Sequence, residues 1–491
     1  MNVVASRVRS IVTSRALVIL AQCLLAQFSL GQVEPVANPV VDQQVNSGAA
    51  NRTQTAGDGA LSDTAESSAQ IAQRSRILYI DVPVPFRPGQ DPEMPPPIVP
   101  ALPEEDAAFQ RRAQEMQDYS AGIARTELQG GAWDQSLVEQ LSALGGLQQQ
   151  QGDHQTAIET LSRAMHVNRI NAGLHTLDQV PVVEQMIDSY MALGDWENVD
   201  LYQNYLYFVQ HKAFGGNDPR LIPVLHDLGQ WNIEAFGIGF GEPLGVRLSR
   251  AQLLFGTAAS MVGIHFGRND ERYVSYLRSL ANSAYLVALH PDYMREIGRP
   301  EYRSQQDILW RQLNAPGRRE PRGFQVGLDA LQEIVDYYRD LGESRYALAE
   351  ALVNLADWHL MFDRYRTAEE HYAQAWAILE ESENSAELLA QLFGQVVPIP
   401  TFASLPNNLL IGSTASQERV ALQQDYADVR LDLTDDGAPR NVEVISPETE
   451  ANSQQLSRLR REVRLSVFRP QIVDGEMVAS EGHLFRYRYW Y

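Results

Sequence analysis

Apolar residues recur every three or four positions between residues 106 and 395, and short polar segments containing Gly-Asp, Gly-Asn-Asp or Pro interrupt them. Because an α-helix has 3.6 residues per turn, this spacing places the apolar side chains on one face of a helix. The interruptions are typical of turns between helices. The pattern therefore predicts a block of paired helices over residues 106–395.

Two of the predicted helix pairs have an especially regular pattern. One pair turns at Gly152, and the other turns at residues 362–365. In the second pair, the small residues Ala356 and Ala368 allow the two helices to approach closely, and Tyr372 fills the space between neighbouring hairpins. The remaining helices of the block have the same period without a clear register.

A third, weaker pair turns at Gly194, about 42 residues after Gly152, whereas the usual period is 34 residues. These pairs resemble tetratricopeptide (TPR) repeats, which stack helical hairpins into an α-solenoid. The resemblance implies a groove that binds a protein or peptide. Tyr190 and Trp358 are candidate partner-binding residues in that groove, with a place in the core as their alternative interpretation. An irregular helical bundle is the alternative for the whole block, and it would leave no groove.

From residue 426 the pattern changes to strand, strand, helix and strand. Apolar and polar residues alternate on both sides of a turn at Gly437, which is typical of a β-hairpin. A helix that begins near Ser453 has one apolar face and stops before Pro470. In the final run, residues 484–491, aromatic residues alternate with arginines, as in a half-buried strand. The pattern predicts a small α+β (ββαβ) domain at 426–491.

This C-terminal segment contains five short motifs. They are Val429-Arg430-Leu431-Asp432-Leu433 with Asp436-Gly437, Asn441-Val442-Glu443-Val444, Phe468-Arg469-Pro470, Asp474-Gly475-Glu476-Met477-Val478 and Phe485-Arg486-Tyr487. In this order they resemble the TonB C-terminal domain. The resemblance implies the fold of that domain and a partner bound by strand addition at the last strand, where Arg486 and Arg488 are candidate contact residues. The apolar N-terminal run lacks a histidine and a long helical block precedes the domain, and both departures argue against energy transduction.

The N-terminus has the pattern of a targeting segment. Three arginines precede an apolar run from Ala16 to Leu30, which predicts a secretory signal peptide over residues 1–31. An uncleaved inner-membrane anchor and lipidation at Cys23 are the alternatives. Because Cys23 is the only cysteine, cleavage would leave a chain with neither a disulfide nor a thiolate metal site.

Two segments are predicted to be linkers from their composition. Residues 32–105 are polar and then proline-rich, which predicts a disordered segment followed by an extended spacer. Residues 396–425 carry Pro, Asn, Gly and Ser without a helical or alternating period, and they are predicted to connect the helical block to the C-terminal domain.

Composition and motifs favour binding over catalysis. The formal net charge of −22 favours protein partners over nucleic acid or an anionic membrane surface. The ten histidines form no metal-binding motif, and the glycine-rich run at 237–245 lacks the strand and the Lys-Ser/Thr of a phosphate-binding loop. We therefore expect no enzyme activity, no cofactor, no metal and no catalytic residues.

Together these features favour a periplasmic scaffold or adaptor of the cell envelope, which binds proteins through a TPR groove and a TonB-like domain. The main alternative is a TonB-type energy transducer that an uncleaved N-terminal segment anchors in the inner membrane. A third hypothesis is an enzyme whose site lies between repeats and has no recognisable motif.

Overall fold

The computed structural model describes residues 79–80, 83–89, 107–241, 243–296, 322–401, 424–449 and 452–490, and the structural findings concern these residues. The predicted signal peptide at 1–31, with Cys23, lies outside them, as does most of the predicted spacer at 32–105.

Helices form most of the described chain. Their order is α1 (Ala107–Gly130), α2 (Leu137–Gln150), α3 (His154–Ala172), α4 (Val180–Leu193), α5 (Trp196–Phe214), α6 (Leu221–Gly237), α7 (Leu244–His265), α8 (Glu271–Leu289), α9 (Pro291–Glu296), α10 (Phe324–Leu341), α11 (Arg345–Met361), α12 (Tyr365–Glu380), α13 (Ser385–Phe393) and α14 (Ser453–Leu465). A 3₁₀ turn at Leu177–Gln179 precedes α4.

The helices before residue 395 form a stack of hairpins. They pair as α2/α3, α4/α5, α6/α7, α8/α10 and α11/α12, and each pair also packs against the next. Helix α1 packs on α2 before the first pair, and α13 packs on α12 after the last. One apolar cluster runs through all of these pairs. The described helices therefore have the stacked arrangement that the sequence predicts.

Each Gly-Asp turn ends one helix and begins the next, as the sequence suggests. Gly152 and Gly194 adopt φ angles of 81° and 70°, in the left-handed region that favours glycine and ends a helix. The next residues, Asp153 and Asp195, begin α3 and α5. Each carboxylate accepts a hydrogen bond of 3.2 Å from the backbone N–H three residues later. A cap of this kind stabilises a helix by about 1 kcal/mol.

Small residues allow the paired helices to approach closely. Ala356 in α11 and Ala368 in α12 are fully buried, and so is Tyr372. In the α2/α3 pair, a Cβ atom added to Gly145 would lie 2.7 Å from Cγ of Leu161, which is closer than real side-chain atoms approach. These positions therefore exclude larger residues by direct contact between helices.

The C-terminal domain is built on an antiparallel sheet. Its strands and the short strands that accompany them are β1 (Tyr79–Ile80), β2 (Val84–Phe86), β3 (Gln424–Leu433), β4 (Pro439–Val444), β5 (Gln471–Val473), β6 (Glu476–Val478) and β7 (Ser480–Trp490). The main sheet has the order β1-β7-β3-β4, with β2 also paired to β7, and β5/β6 form a separate hairpin.

The core of this domain lies between the sheet and helix α14. The helix buries Leu456, Leu459 and Val463, and β7 buries Phe485 and Tyr489 in the same apolar cluster. The predicted β-hairpin, helix and final strand are all present. The β5/β6 hairpin, inserted between α14 and β7, is an addition that the sequence pattern did not predict.

Parts of both predicted linkers are ordered. Strands β1 and β2 come from the predicted spacer at 32–105 and extend the C-terminal sheet. In the predicted linker at 396–425, the carbonyl of Val397 accepts a hydrogen bond from the N–H of Arg469 at 2.9 Å. Strands of two or three residues are too short to show a period, so composition alone could not predict this pairing.

Candidate protein-interaction surfaces

Two cavities lie on the side of the stack that the first helix of each hairpin forms. One, of about 490 Å³, lies between α1, α2 and α4. The other, of about 500 Å³, lies between α8, α11 and α13. We call this side, lined by α2, α4, α6, α8 and α11, the first-helix face. Stacked repeats use an extended face of this kind to bind other polypeptides.

The cavity at the N-terminal end combines apolar surface from α2 with polar and acidic side chains. Its lining includes Glu115, Tyr119, Glu139, Gln150 and Gln185. The side-chain amide of Gln149 donates hydrogen bonds to the carbonyl of Gln185 at 2.5 Å and to Oγ of Ser189 at 2.8 Å. These bonds fix α2 against α4, so the polar side chains are held by rigid elements.

Further carboxylates continue along the first-helix face. Glu184 and Asp188 on α4 and Asp227 on α6 are exposed. Partial burial raises the pKa of Glu184, and the negative charges of Asp188 and Asp227 raise this pKa further. Both negative charges act on Glu184, so a cationic group placed beside it would relieve this repulsion.

The second cavity lies where the stack meets the C-terminal domain. Its lining includes Arg278, Tyr346, Glu350, Asn354, Gln395 and Arg469. Nη2 of Arg278 lies 4.0 Å from Oε2 of Glu350, which links α8 to α11. Oγ1 of Thr401 donates a hydrogen bond to Oδ1 of Asn354 at 3.1 Å. The cavity is therefore closed on one side by the chain that leads to the C-terminal domain.

A buried ion pair joins the stack to the C-terminal domain. Arg469 donates hydrogen bonds to Oδ1 of Asp357 from Nε at 3.0 Å and to Oδ2 from Nη2 at 2.6 Å. The hydroxyl of Tyr372 donates to the same carboxylate at 2.6 Å. Burial by itself lowers the pKa of Arg469, but Asp357 more than offsets this effect and raises the pKa above its usual value. The guanidinium of Arg469 is therefore charged in the folded chain.

Sequence reasoning missed this contact. Asp357 and Arg469 are 112 positions apart, so no local spacing relates them. His359 is the neighbour of Asp357 that the sequence shows, two positions along α11. It is buried and stacks on His371, with ring centroids 5.4 Å apart. Two local features could have indicated a buried ion pair. One is an aspartate on the apolar side of α11, and the other is an arginine between Phe468 and a proline.

The predicted groove aromatics lie within the stack. Trp358 is fully buried, and its Nε1 donates a hydrogen bond to the carbonyl of Phe324 at 3.2 Å. The expectation that Trp358 faces the groove is wrong, because this side of α11 packs against α10. Tyr190 is half-buried and stacks on Tyr202 of α5, with ring centroids 5.5 Å apart. It packs inside its own hairpin, in line with its alternative interpretation.

The predicted arginines on the last strand lie on the outer face of the sheet. Arg486 forms two hydrogen bonds with the carboxylate of Asp428 on β3, at 2.8 and 3.0 Å. Its guanidinium also lies near the rings of Phe86, at 5.7 Å, and Tyr426, at 5.4 Å. Arg488 is half-buried and lies opposite Tyr426 in the strand register. Arg486 is therefore held by side chains of the domain itself.

The described ranges offer groups for polypeptide binding rather than for metal binding or membrane insertion. No group of three or more His, Cys, Asp or Glu residues in the described ranges is placed to hold a metal ion. None of the described helices combines the length and the hydrophobicity needed to cross a bilayer. The groups that the described surfaces do offer are carboxylates, amides and a strand edge, which suit polypeptide ligands.

Similarity to known proteins is confined to low-scoring matches with solved repeat structures. No family model matches the chain, and no curated protein matches it. One similar structure is a Podosopora anserina protein with nearly identical TPR-like repeats. It shares 14% identity with this chain, with a TM-score of 0.34, and the match covers 51% of this chain and 98% of that chain. BtubC (BKLC) from P. vanneervenii also shares 14% identity with a TM-score of 0.34, covering 56% and 91%. TM-scores this low support no conclusion about function.

Proposed function

We propose that the chain is a non-enzymatic scaffold or adaptor of the cell envelope, with one polypeptide bound on the first-helix face and another at the C-terminal sheet. The observation that carries the proposal is that both cavities share the first-helix face, at opposite ends of the stack. A partner that fills both would contact most of the repeats. Binding energy would then come from many small contacts along one face.

The chemistry of this face favours an extended peptide with basic residues. Exposed carboxylates at Glu115, Glu139 and Glu184 complement arginine or lysine side chains. The side-chain amides of Gln150 and Gln185 line the same cavity and can form hydrogen bonds with a peptide backbone.

The C-terminal domain supplies the second proposed surface. We infer a TonB-like fold for it from the order β3, β4, α14, β7 and from Phe468-Arg469-Pro470, which follows α14. The extra β5/β6 hairpin and the helical stack distinguish this chain from a simple transducer. A partner strand at the sheet edge is the binding mode that such a domain supports.

Peptide binding tests the first-helix face. Labelled arginine-rich and lysine-rich decapeptides are titrated by fluorescence anisotropy against the wild-type chain and the double variant Glu115→Gln/Glu139→Gln. Since exposed ion pairs contribute about 0.2–1 kcal/mol each, we expect affinity to fall by about three-fold or more, with a weaker dependence on salt.

A matched control makes the same charge change on second helices. Glu159 on α3 and Glu197 on α5 are exposed, so Glu159→Gln/Glu197→Gln should leave peptide affinity within about two-fold of wild type. Equal losses in the two double variants, or no binding of any basic peptide, would contradict the proposed groove.

Cell fractionation tests the proposed location. We expect a periplasmic chain whose N-terminal sequence shows cleavage after Gly31. An intact N-terminus in the inner membrane would instead support the TonB-type transducer, and a cytoplasmic chain would contradict both proposals.

A further inference from the structure

The outer edge of the last strand already carries another strand from the same chain. Strand β2 pairs antiparallel with β7, with Val84 opposite Arg486 and Phe86 opposite Leu484. Strand β1 continues along the same edge, with Ile80 opposite Tyr489. We call strands β1 and β2 together the resident segment. The edge that the C-terminal domain would offer to a partner is therefore occupied from within.

The described strands of the resident segment are short. Strands β1 and β2 comprise two and three residues, while β7 comprises eleven. Pro85 has no N–H to donate, and the side chain of Val84 is 42% exposed. Ile80 is half-buried and packs against the apolar cluster of the domain, so Ile80→Asp should weaken the attachment of β1.

The strand edge also carries a preformed recognition feature. The carboxylate of Asp428 holds the guanidinium of Arg486 through two hydrogen bonds. In this position the guanidinium lies between the ring of Tyr426 on β3 and the ring of Phe86 on the resident segment. An incoming strand with an aromatic residue at the position of Phe86 would make the same cation–π contact.

We propose that the outer edge of β7 is an acceptor for an extended antiparallel segment of another protein, with an aromatic residue placed over Arg486, and that the resident segment is a displaceable occupant of this site. This inference rests on the proposed role of the C-terminal sheet and adds its self-occupied state and the pattern that its ligand must have. A partner strand that pairs along the whole length of β7 would add residue pairs beyond the five that β1 and β2 form in the described chain.

The probe for this site is a fluorescein-labelled synthetic peptide with the sequence of residues 77–88. It is titrated against the full chain and against the variant Ile80→Asp/Phe86→Asp, in which the resident segment is disabled. If the resident segment fills the edge in at least nine molecules of ten, disabling it should tighten peptide binding by about ten-fold or more.

A matched control places the same kind of change elsewhere. Leu128 and Leu174 are exposed in the repeat block, at 88% and 63%, so Leu128→Asp/Leu174→Asp should bind the peptide as wild type does. A peptide carrying Phe86→Ala tests the aromatic contact without altering the protein. Its affinity for the disabled variant should fall several-fold, and this loss should disappear when Arg486→Gln is added.

The remaining outcomes are decisive. Equal peptide affinity for wild type and disabled variant, or no binding to either, overturns the proposal. Light scattering gives a further test. If the wild type is a dimer and the disabled variant is a monomer, the strand on β7 comes from a second copy, and the proposal is also overturned. The Glu115→Gln/Glu139→Gln variant should bind this peptide with wild-type affinity. The proposed peptide site on the first-helix face and the proposed strand site on β7 are therefore tested independently.

Discussion

Asp357 joins the helical stack to the C-terminal domain. It is fully buried, and it accepts hydrogen bonds from Arg469 of the C-terminal domain and from Tyr372 of α12. Moving two charges out of water is costly, and their attraction compensates only while both are present. The pair therefore makes the position of the C-terminal domain specific rather than simply stable.

Asp357→Asn should leave the guanidinium of Arg469 buried without a countercharge. We expect the free energy of unfolding to fall by about 3–5 kcal/mol, as for other broken buried pairs. Tyr372→Phe is the control, because it removes one hydrogen bond to the carboxylate and leaves the ion pair in place, so it should cost less, about 1.5–3 kcal/mol. Urea denaturation followed by tryptophan fluorescence gives both values. Equal effects of the two substitutions would show that the ion pair is solvated.

His359 should make stability depend on pH. Burial, followed by the nearby charges of His371 and Arg364, lowers its pKa from the usual 6.5 to about 4. The unfolded chain therefore binds a proton at this residue at a higher pH than the folded chain does. Between pH 6.5 and 4 the folded state should lose stability as pH falls, by at most about 1.4 kcal/mol per pH unit.

Comparison with His359→Gln isolates this contribution. Thermal unfolding of the wild type and the variant is measured between pH 7.5 and 4, where carboxylate titrations affect both chains alike. The wild-type melting temperature should fall more steeply below pH 6.5. Parallel profiles would show that His359 titrates normally in the folded chain.

At the scale of elements, two adjacent glycines in α2 test how closely the helices pack. A Cβ atom at Gly145 would lie 2.7 Å from the side chain of Leu161 in α3, whereas one at Gly146 would lie 3.4 Å from the flexible amide of Gln185. Gly145→Ala should therefore destabilise the chain by about 1–3 kcal/mol through overpacking.

Gly146→Ala should instead increase the stability of the chain. Its new methyl group has room, and alanine favours the helix by up to about 1 kcal/mol relative to glycine. The difference in urea midpoint between the two variants measures the contact directly, since both changes have the same intrinsic helix propensity. Destabilisation by both to the same extent would mean that the helix contact does not select small residues at Gly145.

The elements also show which features a sequence can predict. Helix periods, Gly-Asp turns and the alternation that ends in β7 are local patterns, and the structure contains them. The pairing of β1 and β2 with β7 joins residues about 400 positions apart through five residue pairs, and no local period encodes such a contact. Trp358 shows a second limit, because an aromatic residue on a helix gives no indication of which side the neighbouring helix covers.

At the scale of the whole molecule, the C-terminal domain covers one end of the helical stack. Ile472 of β5 is buried in the apolar cluster of the stack, and Met477 of β6 packs against that cluster. Gly475, in the turn between them, lies so close to α12 that an added Cβ atom would be 3.1 Å from Cα of Ala373. Repeat arrays need terminal units that cover the last apolar surface. The described start of the predicted linker, residues 396–401, belongs to this junction, because the carbonyl of Val397 accepts a hydrogen bond from the N–H of Arg469.

Removal of the C-terminal domain should loosen the stack from that end only. In a quasi-one-dimensional array each repeat is stabilised mainly by its neighbours, so the loss should decay along the stack. In a chain that ends at residue 401, hydrogen exchange of α11 and α12 amides should be at least about ten-fold faster, while α2 and α3 should keep their protection. Removal of α1 should give the reverse pattern, with faster exchange in α2 and α3 and no change in α11 and α12. Uniform acceleration in both truncated chains would mean that the stack unfolds as one cooperative unit.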